Sequence, residues 1–227
     1  MRIVDAVNRS HLTHRLIKLL RLRPLANAAL ARVPVVKKLP RTGVRYRLKY
    51  LDSITLADEL FGKKIYDTAI PADLETFADI GSNVGHFIAL VVERTGRRDV
   101  RGLAVDADPE MVEETSWVVR ANGLHGVHPV LGLVGDGAPG SKGDFFIHPV
   151  RVKSSRFTTP EPGQPDKGDF SRTEVRYVDL ERLWRATLGD VRCDLLKIDI
   201  EGGETDLVKA DNPFFARVDR IVLELGN

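Results

Sequence analysis

The stretch Phe77-Ala78-Asp79-Ile80-Gly81-Ser82-Asn83-Val84-Gly85-His86-Phe87 constrains this chain more than any other. Apolar residues run into an acidic residue, then a pair of glycines with Ser-Asn-Val between them, then the apolar start of a helix. That is the pattern of a buried strand, a tight turn and a helix N-terminus, where an open α/β sheet binds a nucleotide-like ligand. Gly81 and Gly85 carry no Cβ, so a ligand can approach their backbone closely. A helix beginning near Val84 is expected to offer free N–H groups in its first turn.

From Phe77 onward, strand and helix patterns alternate. Strands are expected at about 77–81, 101–107, 127–134, 195–200 and 220–225, with shorter ones at 145–147 and 174–178. Helices are expected at 84–95 (closed by Gly96), from Pro109 to Asn122-Gly123, at 179–188 and at 203–210. Residues 150–170 are rich in Pro, Gly, Ser and charge and read as a loop. Repeated βα units require parallel pairing with right-handed crossovers, so the expected architecture is α/β, Rossmann-like, with a mostly parallel sheet.

The N-terminal part is different in character. The whole chain balances 34 Lys and Arg against 32 Asp and Glu, yet residues 1–50 hold 13 of the basic residues and a single acid, Asp5. A basic, helical extension (1–50) therefore precedes an acidic domain (51–227). In 10–22, Leu12, Leu16, Leu19 and Leu20 share one helical face, opposite His11, His14, Arg15, Lys18 and Arg21. That face either packs on the domain or lies on an anionic membrane surface. A short helix follows at 25–33, then a half-polar strand at 44–51, then a helix at 55–61 ending at Gly62. These last segments are candidates for a cap over the ligand cleft. Nothing in the arm resembles a nucleic-acid recognition motif, and no nucleic-acid partner is expected. No run of about 18 apolar residues exists, and no secretory leader is recognisable. With one cysteine, Cys193, the expected setting is reducing and cytoplasmic, and the thiol reads as buried and inert.

The turn lacks the dinucleotide fingerprint G-x-G-x-x-G, which counts against NAD or FAD. Asp106 closes the second strand, where an acid accepts hydrogen bonds from ribose hydroxyls whichever cofactor is bound. At this point Asp79–Phe87 resembles the first motif of class I S-adenosylmethionine-dependent methyltransferases, in the form found in FkbM-type enzymes. Lys197-Ile198-Asp199-Ile200-Glu201-Gly202-Gly203-Glu204 resembles the same family's signature, Val178-Asp179-Leu180 a short motif before it, and Glu224 an acid on the last strand.

The resemblance implies S-adenosylmethionine as cofactor, held by Asp79, Gly81, Ser82, Asn83, Gly85, Phe87, Asp106, Ala107 and Asp136. Asp79 would fix the cofactor's ammonium or the turn itself, Asp106 its ribose, and the segment from Leu133 to Asp136 its adenine. The activity implied is O-methylation of a sugar, glycolipid or secondary metabolite, a small-molecule acceptor. Asp199 and Glu201 alternate at the C-terminal end of a strand and share one face. They are the catalytic candidates, as general base, as acceptor-positioning groups, or together as ligands of a divalent metal. His86 and His148 are further candidate bases, and Ser154, Ser155 and Arg156 could meet the acceptor.

The family continues through two more strands, whereas this sequence ends at Asn227, so the expected sheet lacks the last two strands. An open strand edge would then call for cover by the N-terminal segment or for a homodimer. The competing reading is a non-catalytic cofactor-binding or membrane-associated module built on the same fold.

Overall fold

The structure is a computed structural model describing residues 23–147, 171–200, 207 and 212–224. The first helix, α1 (Arg23–Arg32), ends before Pro34, which disfavours helix in the residue preceding it. A hairpin follows, β1 (Val35–Lys38) with β2 (Arg45–Leu48), its connection using Gly43 at φ 68°. β2 alternates as expected, Tyr46 and Leu48 inward and Arg45 and Arg47 outward. The outward side is a docking face. Arg47 forks onto Glu114 through Nε (2.5 Å) and Nη2 (2.6 Å), and Lys49 reaches the same carboxylate at 2.8 Å. The Arg47 guanidinium also stacks over Trp117 at 4.6 Å. The basic N-terminal segment thus neutralises acids of the domain behind it.

Leu39, Val44, Tyr46 and Leu48 share one hydrophobic core with Phe77, Ile88 and Leu195. The hairpin thus buries its apolar face in the same core as the sheet. The next helix differs from expectation. α2 (Leu51–Ala57) starts four residues early, because Ser53 Oγ accepts from the amides of Lys49 (3.1 Å) and Tyr50 (3.2 Å). It then continues as a π-helical turn, Asp58–Lys63, past Gly62, and stops at Lys64 in the left-handed conformation (φ 60°).

Next come β3 (Thr76–Ile80), α3 (His86–Thr95), β4 (Arg101–Asp106), α4 (Pro109–Asn122) and β5 (Val127–Leu131). Gly96 and Gly123 close the helices in left-handed conformations, and Asp108 caps α4 by accepting from the amide of Glu110. The hairpin β6 (Lys142–Ile147) with β7 (Ser171–Arg176) stands apart from the main sheet. Then follow α5 (Leu180–Leu188), β8 (Leu195–Ile198), a 3₁₀ turn at Pro213–Arg217 and β9 (Ile221–Leu223).

The main sheet is parallel throughout, in the order β5-β4-β3-β8-β9. β3 is buried along its whole length, as a central parallel strand must be. Cys193 is fully buried, and burial pushes its thiol up to about 12, an inert group. No helix among the described residues is long and apolar enough to cross a membrane. The helix expected at 10–22 and the loop at 150–170 lie outside the described residues, as does the helix expected at 203–210 except for Leu207, which is helical and buried.

Candidate functional site

Strand order reverses at β3, with β4 on one side and β8 on the other. At the C-terminal ends of these strands lies a cleft of about 370 Å³. This is where an open α/β sheet leaves a crevice between crossovers of opposite direction. Its floor is Ile80, Gly81 and Asn83 after β3, Val105 to Asp108 after β4, and Asp199 and Ile200 after β8. Thr55, Leu56, Glu59 and Ile65 close it from the segment after the hairpin. Met111, Leu133, Val134 and Phe145 give it an apolar wall.

The glycine turn is closed on itself. Gly81 and Ser82 donate their amides to Val105 O (2.9 and 3.1 Å), and Gly85 donates to Ser82 O (2.9 Å). Asn83 donates to Asp106 Oδ2 at 2.7 Å, and its own Oδ1 accepts from Val84 at 2.8 Å. The amides of Gly81 to Gly85 are therefore all taken, by β4, by side chains and by Ser82 O, and the first turn of α3 begins only after them, at His86. Those five amides offer a pyrophosphate no cradle. Gly81, at φ 80°, passes so close to β8 that a Cβ would stand 1.7 Å from the Asp199 carbonyl oxygen. Asn83 is also left-handed, at φ 48°, a conformation asparagine tolerates.

Asp106 uses one oxygen on Asn83 and the other, Oδ1, on the amide of Asp108 at 2.9 Å. Each oxygen keeps a further lone pair for a ligand hydroxyl. Burial pushes this carboxyl up to about 6, against the pull of the two amides.

Beneath the floor, Asp79 and Lys197 face each other in register across β3 and β8. Lys197 Nζ lies 3.2 Å from Asp79 Oδ1, 3.2 Å from Gly81 O and 3.3 Å from Asp199 Oδ2. The ammonium thus ties the turn to the acid at the end of β8. Asp79 is completely buried, and burial pushes its carboxyl up to about 6 in spite of Lys197. Its Oδ2 has no hydrogen-bond partner. Lys197 is held above its ordinary value by the two carboxylates, which outweigh its burial.

Of the residues expected to hold a cofactor, Gly81, Asn83, Asp106 and Ala107 line the cleft. Asp79 lies under it and supports the turn. Ser82 is buried behind it, its hydroxyl 3.3 Å from that of Thr115. Gly85 packs against α4, where a Cβ would meet Thr115 Cα at 3.1 Å, so its missing side chain serves helix packing. Phe87 faces the core, edge-on to Tyr66 at 5.6 Å, and is not a cleft residue. Asp136 is exposed and off the wall; the chain turns away after Leu133 bridges to Tyr177, and Leu133 and Val134 take the wall position instead.

Asp199 lines the cleft, as does Glu224, whose carboxylate accepts from the Tyr66 hydroxyl. His86 is no base: it is fully buried, its Nε2 donates to Arg47 O at 3.0 Å, and burial pushes it down to about 4. Glu201, His148, Ser154, Ser155 and Arg156 lie outside the described residues. Thr55, Leu56 and Glu59 belong to the segment 55–61 expected as a cap over the cleft, whereas the sequence reading gives Lys197 no role and does not name Asp52, Ile65 or Met111. For Lys197 a signal existed, since a lysine inside the apolar run Leu195-Leu196-Lys197-Ile198 needs a buried partner. Among the described residues no group of three or more His, Cys, Asp or Glu could hold a metal ion; Glu201, the second ligand of the expected pair, lies outside them, and the Asp199 carboxylate faces the Lys197 ammonium at 3.3 Å.

Residues 79–227 match the family model described as Methyltransferase FkbM domain. A protein named Methyltransferase 1 from Beauveria bassiana (strain ARSEF 2860) is 26% identical over 180 residues, 74% of this chain and 71% of that protein. Among solved structures, methyltransferase FkbM from Methylobacillus flagellatus KT aligns at 15% identity and a TM-score of 0.38, covering 85% of this chain and 44% of its own. The N-terminal domain of human METTL16 in complex with SAH aligns at 15% identity and a TM-score of 0.30, covering 83% of this chain and 58% of its own. The chain spans about half the length of these two solved chains.

Proposed function

Because the chain belongs to the FkbM methyltransferase domain family, we propose that its cleft binds S-adenosylmethionine and that it methylates a hydroxyl of a sugar, glycolipid or secondary metabolite. The observation that carries this reading is the pairing of Asp106 with the self-closed turn. A carboxylate with two spare lone pairs suits a ribose, while a turn with no free amides does not suit a pyrophosphate. The cleft volume is in the range of small-molecule sites, about 300–1,000 Å³. Val105, Ala107, Met111, Leu133 and Phe145 make the dry wall that a purine requires.

When bound, the cofactor supplies a methyl group activated by a sulfonium. The protein then has to hold the acceptor oxygen in contact with that carbon and exclude water. Thr55, Leu56, Glu59 and Ile65 form the side of the cleft available to the acceptor. Asp199 accepts the hydroxyl proton. The proton becomes strongly acidic only as the new C–O bond forms, so a carboxylate suffices as base. Lys197 holds Asp199 in place for this.

Incubating the protein with methyl-labelled cofactor and an extract of the source cells tests the reading. Label should enter a small-molecule fraction, and Asp199→Asn should lower the rate by about 10²-fold or more. Tight cofactor binding without any transfer would sink the catalytic part. Cofactor affinity should also depend on pH. With Asp106 pushed up to about 6, it is ionised at neutrality and protonated below. Affinity measured by calorimetry is expected to be level above pH 7 and to fall below pH 6, by up to about tenfold per unit. Affinity that rises on acidification would contradict the ribose assignment.

A further inference from the structure

Six carboxylates line the cleft, those of Asp52, Glu59, Asp106, Asp108, Asp199 and Glu224, and among the described residues no Lys, Arg or His lines it. The cleft itself is defined by the glycine turn, the left-handed Asn83 and the apolar wall; the acids give it a sign. Asp108 also caps α4, and the partners of Asp199, Glu224 and Glu59 cancel little of that sign. Lys197, beneath the floor, is shared between Asp79 and Asp199, one ammonium for two carboxylates. Glu224 is held by the Tyr66 hydroxyl, a neutral donor that orients the carboxylate and leaves its charge in place. Glu59 faces Lys63 at 3.7 Å in a solvent-exposed pair, a weak interaction in high dielectric. Below the turn, buried Asp79 has a second oxygen with no partner. A concave, partly apolar cleft lined by one sign of charge focuses its field on whatever occupies it.

We propose that this lining makes the cleft selective for the sulfonium charge, so that the protein holds S-adenosylmethionine more tightly than its demethylated product and releases that product readily. The inference rests on the cofactor reading above. In the transfer, the C–S bond breaks, the C–O bond forms, the C–S electron pair stays on sulfur and the hydroxyl proton passes to Asp199. The product, S-adenosylhomocysteine, is a thioether with one positive charge fewer than the cofactor. A negative cleft therefore stabilises the ligand before transfer more than the ligand after it.

The test is calorimetric titration of the full chain, at low ionic strength, with S-adenosylmethionine, S-adenosylhomocysteine and sinefungin, which carries an amine where the cofactor has its sulfonium. The two cations should bind about tenfold more tightly than the thioether. Glu224→Gln, which keeps an acceptor for Tyr66, should narrow the gap to about threefold by weakening the two cations more than the thioether. Glu59→Gln, on the partly exposed π-helical turn, provides the same readout if the first variant melts early. Equal or tighter binding of the thioether, or a gap unchanged in both variants, overturns the charge-selection inference alone. Absence of binding by all three ligands overturns the cofactor reading and this inference with it.

Discussion

Gly81→Ala is expected to cost about 2–5 kcal/mol of stability and to remove ligand binding with it. Two effects add. A left-handed backbone, φ 80° here, costs a residue with a Cβ about 1–2 kcal/mol. The Cβ would also stand 1.7 Å from Asp199 O and 2.7 Å from its carbonyl carbon, both backbone atoms that no rotamer change can move. Overpacking of this kind costs about 1–3 kcal/mol. To relieve it, the turn and the end of β8 must separate, which displaces Asp199 from the cleft floor and the Gly81 carbonyl from Lys197. Gly43→Ala is the control: it is also left-handed, at φ 68°, but a Cβ there would have nothing within 4 Å. It should lose about 1–2 kcal/mol and bind normally. Urea unfolding with calorimetry reads both. A Gly81→Ala protein as stable as Gly43→Ala would mean that the two strand ends are not in contact.

Lys197→Met is the second large effect. It leaves Asp79, completely buried, without its counter-charge. Breaking one side of a buried pair costs about 3–5 kcal/mol, most of it the cost of the orphaned charge. The sign of the pH dependence follows. Burial already pushes Asp79 up to about 6, and without the lysine nothing on β8 opposes that push. A carboxyl raised in the folded state gives stability that is present at low pH and lost as pH rises through its folded value. The deficit of Lys197→Met should therefore be largest at neutrality and shrink toward pH 5. Adding Asp79→Asn should recover part of it at pH 7, since the orphan is then uncharged. A deficit independent of pH, or strict additivity of the two substitutions, would mean that the pair is not coupled in the fold.

Much of this fold can be read from residues. β3, β4 and β8 are apolar runs, and Gly96 and Gly123 stand where helices need a left-handed residue to stop. Asp108-Pro109 states the start of α4 in two residues. β1 and the π-helical turn could not be read in this way. β1 is held by its pairing with β2, and the extension past Gly62 comes from packing against the core. The site divides along similar lines. Gly81, Asn83, Asp106 and Asp199 follow from chain position at the ends of strands. Phe87 does not, because α3 is buried on all faces from His86 to Val92, and periodicity cannot say which face meets a ligand. The loss of free amides in the turn depends on Val105 and Asp106, more than 20 positions away in sequence and adjacent only across the sheet. Asp136 fails for another reason: the stretch Gly132–Gly137 has three glycines, and its path is set by the bridge from Leu133 to Tyr177.

Asp106 is the residue on which cofactor binding most directly depends. Calorimetry should give saturable, one-site binding of S-adenosylmethionine by the unaltered chain and none of NAD. Removing a charged hydrogen-bond acceptor costs about 1.5–3 kcal/mol, so Asp106→Ala should weaken binding by about 10–100-fold while the protein still melts cooperatively. Unchanged S-adenosylmethionine affinity in Asp106→Ala, or NAD bound in its place, would contradict the account.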